Sequence, residues 1–166
     1  MAASPLYGFA EELRQRGHEV SVRVLDIRMV PCPEAVSEAL GLTKEQPTPV
    51  IHVSRTAHAD DVCMFHETSY LLPPLDLSPE ELSHKRDLFN NIYGFFEQNG
   101  VVIGLGRQSV RANLASKDDA HLLGIHEGDP VLVVHRVTQD VTGTPVEWSQ
   151  VCYPSHLYEY QINLHR

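Results

Sequence analysis

Apolar and polar residues alternate along six stretches of this 166-residue chain, which is the pattern of half-buried β-strands. The predicted strands are 19–28, 49–59, 62–72, 101–112, 130–139 and 144–153. The second and third are separated only by Asp60-Asp61, and the last two only by the segment 140–143. Each of these two pairs is therefore predicted to form a β-hairpin.

Helical spacing replaces this alternation in other parts of the chain. In one segment Leu88, Ile92 and Phe95 recur at three- and four-residue intervals before Asn99-Gly100, a typical helix end. The predicted helices are 6–16, 33–40, 85–98 and a short one that begins at Ser116, and 73–79 is predicted to be a loop. Helices mixed with hairpins indicate an α+β domain, an antiparallel β-sheet flanked by helices.

Residues 40–70 and 123–149 form an internal repeat. Each copy has Leu-Gly-Leu or Leu-Gly-Ile at a helix end, then a Pro-Val strand that runs to an arginine, then a return strand with Glu-x-Ser. Chance matching of apolar runs does not explain the whole ordered set. We infer an internal duplication of a helix-plus-hairpin unit, with both copies in one sheet.

Composition narrows the functional classes. With 42% hydrophobic residues the chain can offset its ordering entropy, which excludes a disordered tail. Its longest apolar runs, such as 131–134, are far too short to span a membrane. A formal net charge of −9, from 13 Lys+Arg against 22 Asp+Glu, argues against direct binding of these residues to a nucleic-acid backbone.

Sequence signals for other site types are missing. Cys32, Cys63 and Cys152 include no C-x-x-C pair, and residues 1–5 do not resemble a secretory signal. The ten histidines include no H-E-x-x-H motif, and the segment 104–106 (GLG) lacks the third glycine of a dinucleotide loop. We therefore expect a cytoplasmic protein without a disulfide framework, a metal site, a cofactor or a membrane segment.

Two arginine–glutamate combinations fall on strand faces that are otherwise apolar. A turn centred near Asp61 places Glu67 opposite Arg55, and Glu147 is expected to return opposite Arg136 in the second hairpin. Charged groups on such faces are costly unless they are paired or bind a ligand. The pairs are therefore either structural ion pairs or the polar lining of a pocket, where an arginine fork suits a carboxylate or a phosphate.

Several segments occur in the order found in a known family. They are the duplicated Pro-Val strands that end in arginine, Glu67-Thr68-Ser69-Tyr70-Leu71, Asn91-Ile92-Tyr93, and Gly143-Thr144-Pro145-Val146-Glu147-Trp148-Ser149 followed by Tyr153. From residue 9 to residue 166 the chain resembles the UTRA domain. That domain is the effector-binding half of GntR-superfamily transcription regulators of the HutC subfamily.

The resemblance implies a chorismate-lyase-like fold, a homodimer and a pocket for a small metabolite that controls operator binding by a separate N-terminal winged helix-turn-helix domain. It implies that residues 1–16 are the N-terminal helix and the end of the linker from that domain and that 17–166 form the effector-binding and dimerisation domain. The effector-binding residues that it implies are Phe9, Arg55, Glu67, Asn91, Tyr93, Glu147 and Tyr153. Arg136 matches the arginine that the family carries in its second half. A structural ion pair with Glu147 fits Arg136 as well as a role in the pocket does.

Departures from the family pattern narrow the expected effector. Members that bind sugar phosphates carry a second arginine where this chain has Ala57, a hydroxyl residue where it has Ala10, and a serine where it has Asn91. The segment 153–158 also lacks the usual Arg and Asp charges. These departures favour a carboxylate or an uncharged polar metabolite over a phosphate.

Two alternatives to a ligand-sensing domain stay open at this point. One is an enzyme of the chorismate-lyase kind on the same fold, with Arg55 holding a carboxylate and Glu67 acting as the acid. The other is a dimerisation module that binds no ligand.

Overall fold

Six long strands form one sheet in the computed structural model of the chain, which describes residues 5–43, 45, 48–74 and 76–166. The strands are β1 (Ser21–Pro31), β2 (Pro49–Ala59), β3 (Val62–Leu71), β4 (Ile103–Leu114), β5 (Pro130–Asp140) and β6 (Pro145–Pro154). The helices are α1 (Phe9–Gln15), α2 (Glu34–Ala39), α3 (Pro79–His84), a 3₁₀ helix (Arg86–Asn90), α4 (Ile92–Gln98) and α5 (Lys117–Leu123). No described helix is long and apolar enough to cross a membrane. Residues 1–4, used in the signal-peptide argument, and Leu75 of the predicted loop lie outside the described residues.

The sheet has the order β1-β2-β3-β6-β5-β4, and every neighbouring pair is antiparallel. The central strands are β3 and β6. Each half of the chain contributes a strand, a short helix and a hairpin in the same sequence, β1-α2-β2-β3 and then β4-α5-β5-β6. The predicted α+β class with an antiparallel sheet is confirmed. The strand order is symmetric, as expected for a duplicated helix-plus-hairpin unit that is preceded in each half by one edge strand, β1 or β4.

The predicted helix over 85–98 is interrupted. The 3₁₀ helix comes first, and Asn91 then adopts an extended conformation (φ −129°, ψ 93°) before α4 begins. The Asn91 side chain accepts a hydrogen bond from the backbone N–H of Gly94 at 2.9 Å and so caps α4. The prediction of one continuous helix was wrong because apolar spacing does not register an asparagine that competes for backbone hydrogen bonds.

The sequence analysis missed α3, which begins where the predicted loop ends. The Ser78 hydroxyl accepts a hydrogen bond from the Glu81 backbone N–H at 3.2 Å, and the Glu81 carboxylate accepts one from the Ser78 backbone N–H at 3.3 Å. Pro79 occupies the first helical position, where its missing N–H costs nothing. This capping box was visible in the sequence as Ser-Pro-Glu-Glu.

The β2–β3 hairpin turns through two residues in the left-handed region, Asp60 (φ 50°) and Asp61 (φ 62°). Such turns match the twist of paired strands. An irregularity in the pairing after Ala57 then adjusts the register, so that Arg55 lies directly opposite Glu67. The predicted cross-strand position of Arg55 and Glu67 is confirmed.

The corresponding prediction for Arg136 and Glu147 is wrong. Ser149 lies opposite Arg136, and Glu147 lies opposite Thr138. The turn between β5 and β6 is longer than the first one, and a register irregularity after Thr138 offsets the return strand by two residues from the predicted pairing. A two-residue offset keeps Glu147 on the same face but moves it roughly 7 Å along the strand from the position opposite Arg136.

Two apolar clusters lie on one face of the sheet, one under α1 and one under α4. In the first, Phe9 and Phe65 meet edge to face with ring centroids 6.4 Å apart. In the second, Phe89 and Phe95 have centroids 4.5 Å apart. Burial of each such side chain contributes roughly 1.5–3 kcal/mol, so these clusters fix α1 and α4 on the sheet.

A row of buried polar side chains separates the two clusters. On β2, for example, Arg55 lies between Val53 of the α4 cluster and Ala57 of the α1 cluster. We call this row the polar belt, and its members are Arg55, Glu67, Ser69, Arg136, Thr138, Glu147 and Ser149. Polar groups at this depth need hydrogen-bond partners, so the belt is where the fold departs from a purely apolar core.

Candidate functional site

A cavity of about 470 Å³ lies between the polar belt, the segment that leads into α1, and α4. Its volume is within the range of small-ligand pockets, roughly 300–1,000 Å³. Six of the residues selected from the sequence line it, namely Phe9, Arg55, Glu67, Asn91, Tyr93 and Glu147. The structure therefore brings together side chains from α1, β2, β3, α4 and β6 that are far apart in the sequence.

Arg55 connects the sheet to the 3₁₀ helix. Its Nε donates to Glu67 Oε2, and its Nη1 donates to the carbonyl oxygens of Phe89 and Asn90, each at 3.0 Å. Both members of the ion pair are almost inaccessible, with side-chain exposures of 4% and 2%. The remaining nitrogen, Nη2, has no hydrogen bond to a described residue, so Arg55 is a structural ion-pair member that still has donors available beside the cavity.

Glu147 is the least compensated charged group of the polar belt. It is 2% exposed, and its Oε1 accepts one hydrogen bond, from the Thr138 hydroxyl at 3.3 Å. The pKa of Glu147 is raised to about 7, chiefly by burial and also by the nearby Glu67 carboxylate, against opposing effects of Arg55, Arg136 and the Thr138 hydrogen bond. Near neutral pH this carboxyl group therefore exists in both protonation states.

Arg136 is held mainly by neutral groups and not by Glu147; its ion pair is a longer contact, 3.9 Å from Nη2 to Oε2 of the partly exposed Glu12. Gln108 Oε1 accepts from both Nε (3.0 Å) and Nη2 (2.8 Å), and the Tyr7 carbonyl accepts from Nη1 at 2.7 Å. The guanidinium also lies 3.9 Å from the centroid of the Phe9 ring, a cation–π contact. Arg136 thus fastens the segment before α1 onto the sheet, and the structure shows no ion pair with Glu147, one of the two alternatives left open by the sequence.

Tyr93 joins the arginine to the threonine behind the cavity. Its hydroxyl lies 3.3 Å from Thr138 Oγ1 and accepts from Arg136 Nη1 at 3.3 Å. Burial and the nearby Glu147 both raise the pKa of Tyr93, so the phenol stays neutral. The result is a hydrogen-bonded chain from Arg136 through Tyr93 and Thr138 to Glu147, in which a neutral phenol replaces a direct ion pair.

Asn91 lines the cavity, as the family resemblance implied, whereas Tyr153 does not. The amide oxygen of Asn91 is used to cap α4, which leaves its Nδ2 as the group available at the cavity. Tyr153 is not among the residues that line the cavity, because it lies in the α1 cluster. Its ring stacks on Tyr158 at 3.8 Å and packs edge to face on Phe65 at 5.5 Å. A direct contact between Tyr153 and a ligand in this cavity has no support in the structure.

Three charged cavity residues were missed by the sequence analysis, Glu11 and Arg14 on α1 and Glu97 on α4. Arg14 and Glu97 each lie four positions after another lining residue, Ala10 in the first case and Tyr93 in the second. Residues four apart share a helix face, so this spacing was the signal that would have found them.

Ser69 and Ser149 face each other across the central strands but differ in their hydrogen bonds. The Ser149 hydroxyl donates to the Arg136 carbonyl at 3.5 Å, whereas Ser69 Oγ is buried without a partner among the described residues. No sequence pattern distinguishes the two serines, because each is the last residue of a Glu-x-Ser segment.

Histidines on the opposite face of the sheet are occupied by structural partners. His52 Nδ1 lies 2.8 Å from Asp26, and His66 lies 2.9 Å from both Ser54 Oγ and Asp119 Oδ1. The hydrogen bond from His66 lowers the pKa of Asp119. In the part of the chain that the structure describes, no group of three or more His, Cys, Asp or Glu side chains is placed to hold a metal ion.

Comparison with known protein sequences identifies the family. The model of the UTRA domain matches residues 15–159. The chain is 27% identical to the transcriptional repressor NagR of Bacillus subtilis, across 96% of this chain and 63% of NagR. It is 30% identical to the transcriptional regulator Rv0792c of Mycobacterium tuberculosis, across 94% of this chain and 56% of that protein. The chain thus spans about three fifths of the length of these curated relatives.

Solved structures agree with this result. The effector domain of PhnF from Mycobacterium smegmatis superposes with a TM-score of 0.79 at 18% identity, covering 98% of each chain, and so shares the fold. The ligand-binding domain of a protein described as a GntR-family transcriptional regulator from Bordetella bronchiseptica gives a TM-score of 0.76 at 26% identity, covering 89% of this chain and 91% of its own.

The chain belongs to the UTRA domain family, as the sequence resemblance indicated. It is an effector-binding domain of the kind found in GntR-family transcription regulators. The relatives and neighbours described above are transcription regulators, which supports a regulatory domain and does not favour the alternative of a lyase on this fold.

Proposed function

We propose that this UTRA domain senses a small polar or carboxylate metabolite in the cavity beside Arg55 and so controls operator binding by an N-terminal winged helix-turn-helix domain of a longer, HutC-type regulator. The observation that carries the proposal is the free edge of Arg55, whose Nη2 remains available beside the cavity. Residues 1–16 would then be the end of the linker and 17–166 the sensing and dimerisation domain. The shorter length of the chain relative to NagR supports this arrangement.

The charges around the cavity favour a carboxylate over a phosphate. Arg55 has one nitrogen left for a ligand, and Ala57 lies two positions farther along β2, where a second arginine would have strengthened an anion site. Glu11 and Glu97 also line the cavity and would repel a dianion, and Arg14 in the same lining donates from Nη2 to the Val20 carbonyl at 3.0 Å. A single carboxylate, or a polar group without charge, suits one guanidinium edge.

The segment before α1 is the natural link between the cavity and a preceding domain. Gly8 and Phe9 line the cavity, while the Tyr7 carbonyl and the Phe9 ring are held by Arg136. A ligand that contacts this segment favours one position of α1 over another. It changes operator binding only by as much as its affinity differs between those two states.

A homodimer is the second part of the proposal. Strand β4 ends the sheet order, and Leu105 and Leu114 on it are 54% and 67% exposed. An unpaired edge with apolar side chains is a template for pairing with another chain, and a second copy of the same strand would complete it. Sedimentation velocity should show a dimer that becomes a monomer in the Leu105→Arg/Leu114→Arg variant; a monomeric wild type would contradict this part.

Ligand sensing is tested by the shift in melting temperature of the chain against matched sets of carboxylates, their neutral amides and sugar phosphates. We expect shifts with members of the carboxylate or polar sets and none with the phosphates. Asn91→Asp keeps the cap of α4, because Asp is as good an N-cap as Asn, but replaces the Nδ2 donor with a negative oxygen.

The Asn91→Asp variant should therefore keep its own melting temperature and lose the shift with carboxylates. Gln98→Glu, the same amide-to-carboxylate change at an exposed position of α4 outside the cavity lining, is the matched control and should keep the shift. The proposal would be overturned by shifts with phosphates alone, or by the absence of any shift across the three sets. The proposal includes a cytoplasmic location, because a regulator that binds operator DNA acts there.

A further inference from the structure

Glu147 has an unusual environment for a buried carboxyl group. It lines the cavity, and its one hydrogen bond among the described residues comes from Thr138. The two nearby arginines are engaged elsewhere, Arg55 with Glu67 and Arg136 with Gln108. An ionised carboxylate in such a position would be desolvated without a paired cation, which is far more costly than holding a neutral carboxyl group.

The charged and titratable groups that face Glu147 come from several elements. Glu67 on β3 disfavours its ionised form, whereas Arg55 on β2 and Arg136 on β5 favour it. Tyr93 of α4 remains a neutral phenol. Burial has the largest effect, and the resulting pKa is about 7. The charged residues that line the cavity from α1 and α4 are Glu11, Arg14 and Glu97.

A protonated Glu147 has an unused donor at the cavity. The Thr138 hydroxyl donates to Oε1, so the proton of the neutral carboxyl group resides on the other oxygen. The nearby Glu67 carboxylate acts on Glu147 through its charge and not through a hydrogen bond, and Arg55 binds Oε2 of Glu67, so the O–H is left for a ligand. A ligand group with a lone pair and a negative charge is the partner that gains most from such a donor, because a charge-assisted O–H···O⁻ bond is short and strong.

We propose that Glu147 takes part in effector binding as a protonated carboxyl group that donates its O–H to the effector carboxylate, which Arg55 Nη2 binds from the other side. This inference rests on the proposed function, in which the cavity receives a carboxylate metabolite. No covalent bond forms or breaks. Above the point where free Glu147 loses its proton, each carboxylate that binds takes up one proton from solution.

This arrangement fixes the sign of the pH dependence. Proton uptake on binding makes carboxylate affinity fall as the pH rises, by about tenfold per pH unit above about 7. An effector with an ammonium group would pair with ionised Glu147 instead, and its affinity would rise with pH over the same range. The direction in which affinity changes with pH therefore distinguishes a carboxylate effector from an ammonium effector.

The test uses three probes with one ring, namely benzoate, benzamide and benzylamine, which carry negative, zero and positive charge. Calorimetric titration of the 166-residue chain from about pH 6 to about pH 8.5 should show that benzoate weakens with pH above about 7. Titration in two buffers of different ionisation enthalpy should show proton uptake that approaches one per benzoate. Glu147→Gln keeps a neutral donor and should bind benzoate with no pH dependence. Glu38→Gln, an exposed change on α2 outside the cavity lining, should behave as wild type.

The outcomes distinguish the two levels of the proposal. Benzoate binding that is independent of pH in the wild type, or binding of benzylamine that strengthens with pH, would overturn the role of Glu147 and leave a ligand-sensing cavity. Failure of benzoate and of every carboxylate in the thermal-shift sets to bind at any pH would overturn the carboxylate effector itself.

Discussion

In the β2–β3 hairpin Arg55 lies opposite Glu67 and the two form a buried ion pair, whereas in the β5–β6 hairpin Arg136 lies opposite Ser149 and binds the neutral Gln108. The two arginines are buried to nearly the same extent, at 3% and 4% exposure. The halves therefore carry the same residue types on equivalent strands and differ in register.

The difference shows that equivalent charged residues can have different roles in the two copies of a duplicated unit. In the first half the carboxylate is neutralised by its arginine and serves the fold. In the second half a two-residue offset moves Glu147 away from its arginine, and the pKa of Glu147 rises to about 7. A charge without a partner is a cost to stability that a ligand can remove, so we assign Glu147 of the second half to ligand recognition together with the Nη2 of Arg55.

The largest expected effect comes from breaking the pair in the first half. Arg55→Ala leaves Glu67 buried without its cation and removes two hydrogen bonds to the 3₁₀ helix. We expect a loss of about 3–5 kcal/mol in the free energy of unfolding, measured by urea denaturation. Arg55→Met/Glu67→Leu removes both charges and should recover much of the loss. A loss below about 1 kcal/mol for Arg55→Ala would mean that the pair is not structural.

A smaller effect is expected from the arginine of the second half. Arg136→Ala removes hydrogen bonds to Gln108 and to the Tyr7 carbonyl and the 3.9 Å contact with Glu12. The Glu12 side chain is 24% exposed, so no fully buried charge is left behind. We expect a loss of about 1.5–3 kcal/mol in the same denaturation measurement, with faster amide exchange before α1. Arg136→Lys keeps the positive charge near Phe9 but not the forked guanidinium, and should lose less free energy of unfolding than Arg136→Ala. A loss as large as that of Arg55→Ala would remove the distinction between the halves.

The smallest effect distinguishes the two facing serines. Ser69→Ala removes a buried hydroxyl that has no described partner, so stability should stay constant or rise by up to about 1 kcal/mol. Ser149→Ala loses the hydrogen bond to the Arg136 carbonyl and should cost roughly 0.5–1.5 kcal/mol. Thermal unfolding of the two variants side by side measures the difference. A loss for Ser69→Ala that equals the loss for Ser149→Ala would contradict it.

Much of the fold followed from local sequence patterns. Alternation located all six strands to within a few residues at their ends, and Asp60-Asp61 located the first turn, because period-two patterning and turn chemistry are local properties. The pairing of Arg55 with Glu67 followed from the position of that turn. The family resemblance added what alternation cannot give, namely which residues from distant segments approach one cavity.

The rest depended on features that no short window contains. The offset between Arg136 and Glu147 arises from a longer turn and a register irregularity after Thr138, and neither is determined by the apolar pattern. The partners of Arg136 are Gln108 and the Tyr7 carbonyl, from an edge strand and from a segment far away in the sequence. Tyr153 was placed at the ligand by family position, but its ring packs against Tyr158 in the core. Each of these is a tertiary contact and requires the structure.

The pH dependence of unfolding tests the contrast between the halves most directly. Because the pKa of Glu147 is about 7 in the folded chain and about 4.5 as an ordinary carboxyl group, the folded state holds a proton that the unfolded state releases. This stabilisation is complete below pH 4.5 and is lost as the pH rises through about 7. Between about pH 5 and pH 8 the wild type should lose about 2–3 kcal/mol more than Glu147→Gln in denaturant unfolding. Two curves that run parallel over this range would contradict the unpaired state of Glu147.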